Sequence, residues 1–356
     1  ISGCRGQLNK DISITLNRCV TSPFEDIPDS IEPSIKWTLK GVDLISEVFT
    51  SQIGSNKAVD MAFRVQIGSA DDITKGIICE TFNNCSIIGD QEQTIVYNIG
   101  GNEIKSVYGD IPDLWVKNSG EVAEYSIGSA VANIGSQSFY NTNGTSLQIP
   151  NNVRNIGDGA FKQCSSLESV EVGLYLTGIE QTAFYNCTSL ESISFCNSSL
   201  LKAVGADAFR NTKLINITLP SSVETIGQRA FLNATELQSA SVGNSLVNIE
   251  LSTFEGDSSL QTFESSDSVE KIGNQAFQGC NSLSNFYWSE NISDIGDFAF
   301  YNCYQLPNVY FYEGLSGIGV QAFYNCSSIP EVIIPDSLTD LGSLAFQSCV
   351  GMKRDL

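Results

Sequence analysis

The chain of 356 residues is long enough to bury a large core, and this length favours two domains. Its 40 acidic residues outnumber 19 basic ones, and the net charge of −21 argues against nucleic acid and anionic membranes as partners. The absence of histidine excludes Ser-His-Asp and Cys-His nucleophiles and removes the commonest transition-metal ligand, although a carboxylate pair for hydrolysis stays open.

The chain has no segment that predicts insertion into a membrane, because no stretch approaches the roughly 18 apolar residues that a spanning helix needs. The first residue is Ile1, and no basic-then-apolar signal segment follows it. We interpret the sequence as a mature chain whose signal peptide has been removed, or as a fragment. Either interpretation fits an extracellular or cell-surface location.

The N-terminal third predicts a small β-rich domain. Residues 1–20 are interpreted as an arm with a strand at 11–16, and residues 21–120 as an antiparallel sandwich or barrel that caps the rest of the chain. Residues 42–49 fit either a strand or one short helix. The strand-like runs of this domain, separated by Gly, Asn and Asp, are 35–39, 59–67, 76–79, 94–99 and 104–108.

Four cysteines in this region suggest two disulfides if the protein resides in an oxidising compartment: Cys4, Cys19, Cys79 and Cys85. The simplest pairing is Cys4 with Cys19 and Cys79 with Cys85. The two other pairings remain open.

The region 121–356 is built on a repeat. A phenylalanine recurs at steps of 22 to 25 residues, with an apolar residue five positions before it, at Phe139, Phe161, Phe184, Phe209, Phe231, Phe254, Phe277, Phe300, Phe323 and Phe346. A fixed period of this length indicates a solenoid, because one unit is too small to form a core and must stack on its neighbours. The first strand is expected within 121–127.

Each repeat predicts one short strand and a tight return. Residues 190–195, 283–288 and 306–311 alternate apolar and polar side chains, so these strands should form one long parallel sheet. The return half leaves room for only a turn or two of helix. A glycine four positions before most of the phenylalanines, replaced by Glu180 and Glu250 in two repeats, suits a tight corner.

The motif Ile272-Gly-Asn-Gln-Ala-Phe277-Gln-Gly-Cys280-Asn-Ser-Leu283 resembles the BspA-type, or Treponema-pallidum-type, leucine-rich repeat. The resemblance covers about two thirds of the chain in ten copies. It implies a mainly β or α/β leucine-rich-repeat solenoid with a parallel β-sheet, preceded by the small β-rich domain. It also implies a secreted or cell-surface protein that binds or adheres, with no catalytic residues and no cofactor.

Six cysteines lie three residues after the repeat phenylalanine: Cys164, Cys187, Cys280, Cys303, Cys326 and Cys349. This regularity predicts small thiols that point into the core and stay free. Since neighbouring coils stack about 5 Å apart, bridges between adjacent thiols are the alternative. Four repeats depart from the motif at this position, with Thr142, Thr212, Ala234 and Asp257.

Eight Asn-x-Ser/Thr sequons predict N-linked glycans: Asn84, Asn143, Asn186, Asn197, Asn216, Asn233, Asn291 and Asn325. Asn186, Asn233 and Asn325 lie two residues after the phenylalanine, where asparagine recurs without a sequon. For these three, a structural role in the turn competes with glycosylation. The acidic surface predicts no metal site beyond loose binding of a divalent ion such as Ca²⁺, and a solvated surface explains it equally.

The candidate interaction residues lie on the outward column of the sheet. This column reads Glu171, Ser194, Thr218, Ser241, Glu264, Tyr287, Tyr310 and Ile333, with Tyr312 beside it. Exposed aromatic groups in a row favour a contact with a protein or cell-surface ligand, although tyrosine also simply suits strands. We therefore predict a non-catalytic interaction or adhesion protein.

The alternative is a glycosylated filament subunit. In this interpretation, the open end of the solenoid packs on the N-terminal domain or arm of the next copy and forms a homopolymer. A polysaccharide-active enzyme is a weaker hypothesis, because no pair of carboxylates stands out.

Overall fold

The computed structural model describes residues 110–352 apart from 197–198, together with seven strands on their N-terminal side. These strands are β1 (Ser2–Asn9), β2 (Asp43–Thr50), β3 (Met61–Ile67), β4 (Gly76–Cys79), β5 (Cys85–Ile88), β6 (Gln93–Tyr97) and β7 (Glu103–Tyr108). The chain divides into two compact units, Ile1–Gln93 and Thr94–Leu356. The predicted strands at 11–16 and 35–39, together with Cys19, Asn84 and Asn197, lie outside the described residues.

The first unit contains an antiparallel sheet in the order β1-β2-β3-β4-β5. The predicted strands at 59–67 and 76–79 are present as β3 and β4. The helix considered for residues 42–49 is wrong, because β2 pairs along its whole length with β1 and over Leu44–Thr50 with β3 on its other side.

The second unit begins with a three-stranded sheet in the order β7-β6-β8, where β8 is Glu124–Ser126. The strand expected within 121–127 is therefore present, but it pairs antiparallel with β6, with Tyr125 opposite Val96.

The solenoid that follows carries two parallel strand columns, whereas the sequence predicted one strand per repeat. The first column is β10 (Ser146–Ile149), β12 (Ser169–Val172), β14 (Ser192–Phe195), β16 (Asn216–Thr218), β18 (Ser239–Ser241), β20 (Thr262–Glu264) and β22 (Asn285–Phe286). The second is β9 (Asn133–Ile134), β11 (Asn155–Ile156), β13 (Gly178–Ile179), β15 (Ala203–Val204), β17 (Thr225–Ile226), β19 (Asn248–Ile249), β21 (Lys271–Ile272), β23 (Asp294–Ile295), β24 (Gly317–Ile318) and β25 (Asp340–Leu341).

The repeat phenylalanines form one continuous stack through the core, as the sequence predicted. Neighbouring rings are 4.9 to 5.4 Å apart between centroids and within 8° of parallel. The edges of Trp115 and Tyr125 contact Phe139 and close the N-terminal end of the stack. Each coil of the solenoid therefore forms its core together with the coils on either side of it.

The return half of each coil contains no helix within the described residues; it is a run of turns. Two residues per coil, two positions before and two after the phenylalanine, have a left-handed backbone, as in Gln137 (φ 51) and Asn141 (φ 55). Because asparagine tolerates this conformation better than most residues, the recurring asparagines are explained by their backbone. Their side chains also form a column, in which Asn325 donates to Asn302 and Asn211 to Asn186.

An additional coil precedes the first recognised repeat. Ile111 pairs in parallel with Ile134, and Leu114 and Asn118 have the left-handed backbone of the later coils at the same spacing. Val116 stands where the later coils have phenylalanine, and Pro112 replaces the glycine, so the motif is not visible in the sequence. This coil precedes residue 121, where the sequence predicted that the solenoid begins.

The recurring glycines lie where neighbouring coils approach each other closely. A Cβ atom on Gly227 would lie 2.4 Å from the backbone nitrogen of Ala206, and its φ is outside the left-handed region. This close contact, and not the corner that the sequence suggested, therefore favours glycine, although Glu180 and Glu250 occupy the position in two coils.

Candidate interaction face

Two prolines end the first strand column. In the preceding coils, the N–H seven residues after the phenylalanine donates to the equivalent carbonyl of the coil before, as Gln261 does to Gln238 and Ser284 to Gln261. Pro307 and Pro330 occupy this position in the next two coils and have no N–H to donate. The strand predicted at 306–311 is therefore absent, and the column ends at β22.

The large exposed side chains begin where this column ends. Tyr287, Tyr310, Tyr312 and Ile333, which we call the tyrosine face, lie on three successive coils. Their exposed fractions are 43%, 56%, 38% and 78% respectively. Large exposed apolar side chains on neighbouring coils favour a contact site.

The residue that follows Tyr287 in the chain, Trp288, is packed into the core. Trp288 is 5% exposed, and its ring lies 4.5 Å from Phe286 and 5.3 Å from Phe300 between centroids. The indole Nε1–H donates to the carbonyl of Asn308 at 3.2 Å, so Trp288 is fixed between two coils. Packing and this hydrogen bond therefore hold the side chain next to Tyr287 in one position.

A column of carboxylates runs beside the tyrosine face. Asp267, Glu290, Glu313 and Asp336 lie thirteen residues after the phenylalanine in four successive coils, and all four are exposed. Two of them accept backbone hydrogen bonds from the next coil: Asp267 from Glu290 N at 3.4 Å and Glu313 from Asp336 N at 3.2 Å. We call these four residues the carboxylate column.

The two features are in contact at Tyr287. Its hydroxyl donates to Oδ1 of Asp267 at 3.0 Å. This hydrogen bond is the main reason why the pKa of Tyr287 is raised above its ordinary value, and the charges of Asp267 and Glu290 act in the same direction. The phenol therefore keeps its proton to a higher pH than an ordinary tyrosine does, beside two negative charges.

The predicted core thiols are present as free, buried cysteines at all six positions. Each thiol donates to the carbonyl of the phenylalanine in the preceding coil, as Cys303 does to Phe277 at 3.2 Å. Burial raises the pKa of these thiols, which makes them inert groups of the core.

The structure separates the described sequons by environment. Asn143, Asn216, Asn233 and Asn291 are exposed, whereas Asn186 and Asn325 are half-buried.

The register of β4 and β5 places Cys79 opposite Cys85 along the backbone. Within the described residues, no group of His, Cys, Asp or Glu side chains is arranged to hold a metal ion. No helix in that part of the chain is long and apolar enough to cross a membrane.

The sequence indicated the tyrosines but not the carboxylate column or the end of the sheet. Both features can be recognised in the sequence once the coils are aligned. The acids and the prolines each recur every 23 residues, as Pro307 and Pro330 do. A search for apolar periodicity passes over them, since neither contributes to the core.

Stacked phenylalanines, parallel strand columns and a 23-residue register define a leucine-rich-repeat solenoid, a non-enzymatic class of fold that is consistent with a role in protein interaction. The family model for the BspA type leucine rich repeat region matches residues 110–238 and 225–353 with six copies. The chain therefore belongs to the BspA-type leucine-rich-repeat family. The match begins at residue 110, where the additional coil begins.

Three solved leucine-rich-repeat proteins are similar to this chain, and the first of them shows the same fold. A leucine-rich repeat protein from Bacteroides ovatus is 21% identical, with a TM-score of 0.54 over 86% of this chain and 92% of that one. The leucine-rich repeat protein of T. pallidum is 31% identical, with a TM-score of 0.40 over 43% of this chain and 72% of that one. A leucine-rich cell surface protein from Faecalibacterium prausnitzii is 22% identical, with a TM-score of 0.39 over 79% and 92%. No curated protein sequence matches this chain.

Proposed function

We propose that this protein is a non-catalytic, extracellular interaction or adhesion module that contacts a protein ligand through its tyrosine face. The observation that carries the proposal is the run of exposed side chains at one position of three successive coils, Tyr287, Tyr310 and Ile333. Tyrosine is enriched where proteins bind each other, because its ring buries apolar area while its hydroxyl keeps a polar partner.

The extracellular location is supported by residues outside this face. Eight sequons and four N-terminal cysteines fit an oxidising, glycosylating compartment. The backbone register that places Cys79 opposite Cys85 supports a disulfide between them. Peptide mapping without reduction tests this pairing: recovery of both cysteines as free thiols from secreted material would count against the location.

The interaction is tested with peptides selected from a phage-displayed random library on the whole chain. We expect the selected peptides to bind Tyr287→Ser/Tyr310→Ser about tenfold more weakly or worse, because truncating a central aromatic contact typically has an effect of this size. The matched control is Tyr175→Ser, since Tyr175 is 40% exposed but belongs to an early coil of the solenoid, outside the tyrosine face. Unchanged binding to the double variant would overturn the proposal for this face.

The second candidate is the head-to-tail filament. The coil around Phe346 exposes Leu341, Leu344 and Val350. Every coil of the solenoid covers the one before it, so this exposure belongs to the last described coil and does not favour a joint. Negative-stain imaging of native material tests this candidate, because only the filament hypothesis expects regular assemblies.

A further inference from the structure

We propose that the occupant of the tyrosine face is an extended, cationic protein segment rich in arginine, which binds the rings and the carboxylate column together. This inference rests on the proposed function and adds the chemistry of the partner. Three observations carry it: the position of the carboxylate column, the shortage of neutralising cations, and the pairing of tyrosine with carboxylate.

The carboxylate column is larger than its structural role requires. Asp267 and Glu313 accept hydrogen bonds from the backbone of the next coil. In the first half of the solenoid, Asn151 does the same for Leu174 N at 3.0 Å with an uncharged amide. Glu313 uses both carboxylate oxygens in this way, because Ser337 N donates to its Oε2 at 3.2 Å. Glu290 and Asp336 accept no such hydrogen bond among the described residues, so capping does not explain their charges.

These charges have few internal partners. Residues 260–356 contain eleven acidic and three basic side chains, and of the basic ones only Lys271 lies among the described residues. All ion pairs seen among the described residues lie elsewhere, joining Lys202 to Glu224 and both Arg210 and Arg229 to Asp207. Like charges on adjacent coils repel each other, so a cationic partner would relieve an unfavourable arrangement.

The tyrosines select among cations. Tyr287 and Asp267 stand within hydrogen-bonding distance, and Glu290 lies close enough to act on the Tyr287 hydroxyl. An arginine side chain can pair with a carboxylate and stack on an aromatic ring at the same time, whereas lysine acts as a compact point charge. We therefore expect arginine to bind better than lysine at this face.

The solenoid itself already uses this chemistry at another place. Lys162 lies 4.9 Å and Arg210 5.6 Å from the ring centroid of Tyr185, and Asp207 pairs with Arg210. There the cation, the ring and the carboxylate all come from the chain. At the tyrosine face the ring and the carboxylate are present, and the described coils supply no cation.

The test measures fluorescence anisotropy of a labelled peptide of alternating arginine and serine on the whole chain. Peptides with lysine, glutamine or glutamate in place of arginine are the comparison. We expect the arginine peptide to bind most tightly, the lysine peptide more weakly, and the other two not at all, with affinity falling as salt is added. Equal binding of the glutamine peptide would overturn the inference.

Two variants separate this face from the general negative charge of the protein. Glu290→Gln/Asp336→Asn should weaken the arginine peptide about fivefold, the effect expected for two exposed ion pairs. Glu168→Gln/Glu191→Gln removes the same charge from exposed sites elsewhere and should have less than about half of that effect. An equal loss in both would mean non-specific attraction and would contradict the inference.

The two proposals fail in different ways. If library-selected peptides depend on Tyr287 and Tyr310 but carry no positive charge, the tyrosine face stands and the cationic partner is wrong. If binding is independent of the tyrosines, both are wrong.

Discussion

The thiol of Cys280 donates its hydrogen to the carbonyl oxygen of Phe254 in the preceding coil, at 3.1 Å. The same contact recurs from Cys303 to Phe277 and from Cys326 to Phe300. Thr142 and Thr212 make the related bond within their own coils, to Phe139 and Phe209. The position three residues after the phenylalanine is therefore a site for a small donor, not only for a small apolar group.

Asp257 occupies this donor position with a carboxyl group. Its Oδ1 accepts from Ala234 N at 2.7 Å, its Oδ2 has no partner, and the side chain is fully buried. Burial raises the pKa of Asp257 well above its ordinary value of 3.8. Above pH 3.8, the unfolded chain loses this proton before the folded chain does, so the free energy of unfolding should fall as the pH rises towards the folded pKa.

We predict that Asp257→Cys is more stable than the natural chain at pH 7, by about 1–3 kcal/mol, because an unsatisfied buried oxygen is replaced by a thiol that can donate to Phe231. The variant should also lose the fall in stability above pH 3.8. Urea unfolding across this pH range measures both effects. Asp336→Asn, at an exposed position, is the control, and a parallel pH profile for Asp257→Cys and the natural chain would refute the account of Asp257.

Gly279 tests the left-handed backbone of the turns. Its φ is 77°, and a Cβ atom there would meet nothing nearer than 3.7 Å, so only the backbone conformation opposes a side chain. Gly279→Ala should lower the free energy of unfolding by about 1–2 kcal/mol. Gly279→Asn should lower it less, because asparagine is the usual residue at this position in other coils. Equal losses for the two variants would show that the conformation is not the cause.

Gly227 tests the close approach of coils. A Cβ atom would lie 2.4 Å from a backbone nitrogen of Ala206, which cannot move aside as a side chain can. Gly227→Ala should therefore cost about 1–3 kcal/mol in urea unfolding, as overpacking does. Gly227→Asn should be no better than alanine, in contrast to Gly279. If Gly227→Asn were more stable than Gly227→Ala, the backbone conformation and not the close contact would explain Gly227.

Glycan occupancy should follow the environment of each sequon. Asn143, Asn216 and Asn291 are exposed and lie outside the left-handed turn positions, so we expect them to carry glycans in secreted material. Asn186 and Asn325 are half-buried and have the left-handed backbone of the turn. We expect these two to be unmodified, and glycopeptide mapping measures the occupancy of all five. Full occupancy of Asn325 would contradict this reasoning.

The parts of the fold that the sequence predicted are those set by apolar periodicity. The phenylalanine stack, the inward thiols and the parallel strands follow from side chains that recur at a fixed step. The second strand column was missed because strands as short as Asn155–Ile156 show no alternation. The coil at 110–118 was missed because packing accepts Val116 and Trp115 in place of the motif residues.

The candidate site was only half predicted from the sequence. Tyr287 and Tyr310 were found because they follow the outward column, and the structure has them exposed. Pro307 ends the first strand column because it stands at the position whose N–H would bond to the preceding coil. The sequence does not show which position of each coil makes this hydrogen bond, so the end of the column could not be predicted. The same holds for the contact between Tyr287 and Asp267, which joins residues of different coils.

The most direct test of the tyrosine face as the binding surface is hydrogen exchange of the whole chain, with and without a library-selected peptide. In the free chain, residues 308–312 and 331–334 should exchange faster than the paired strands β12 and β14, because Pro307 and Pro330 end the ladder. On addition of the peptide, the account predicts new protection at 308–312 and 331–334. Protection confined to the first coils, with these two segments unchanged, would contradict it.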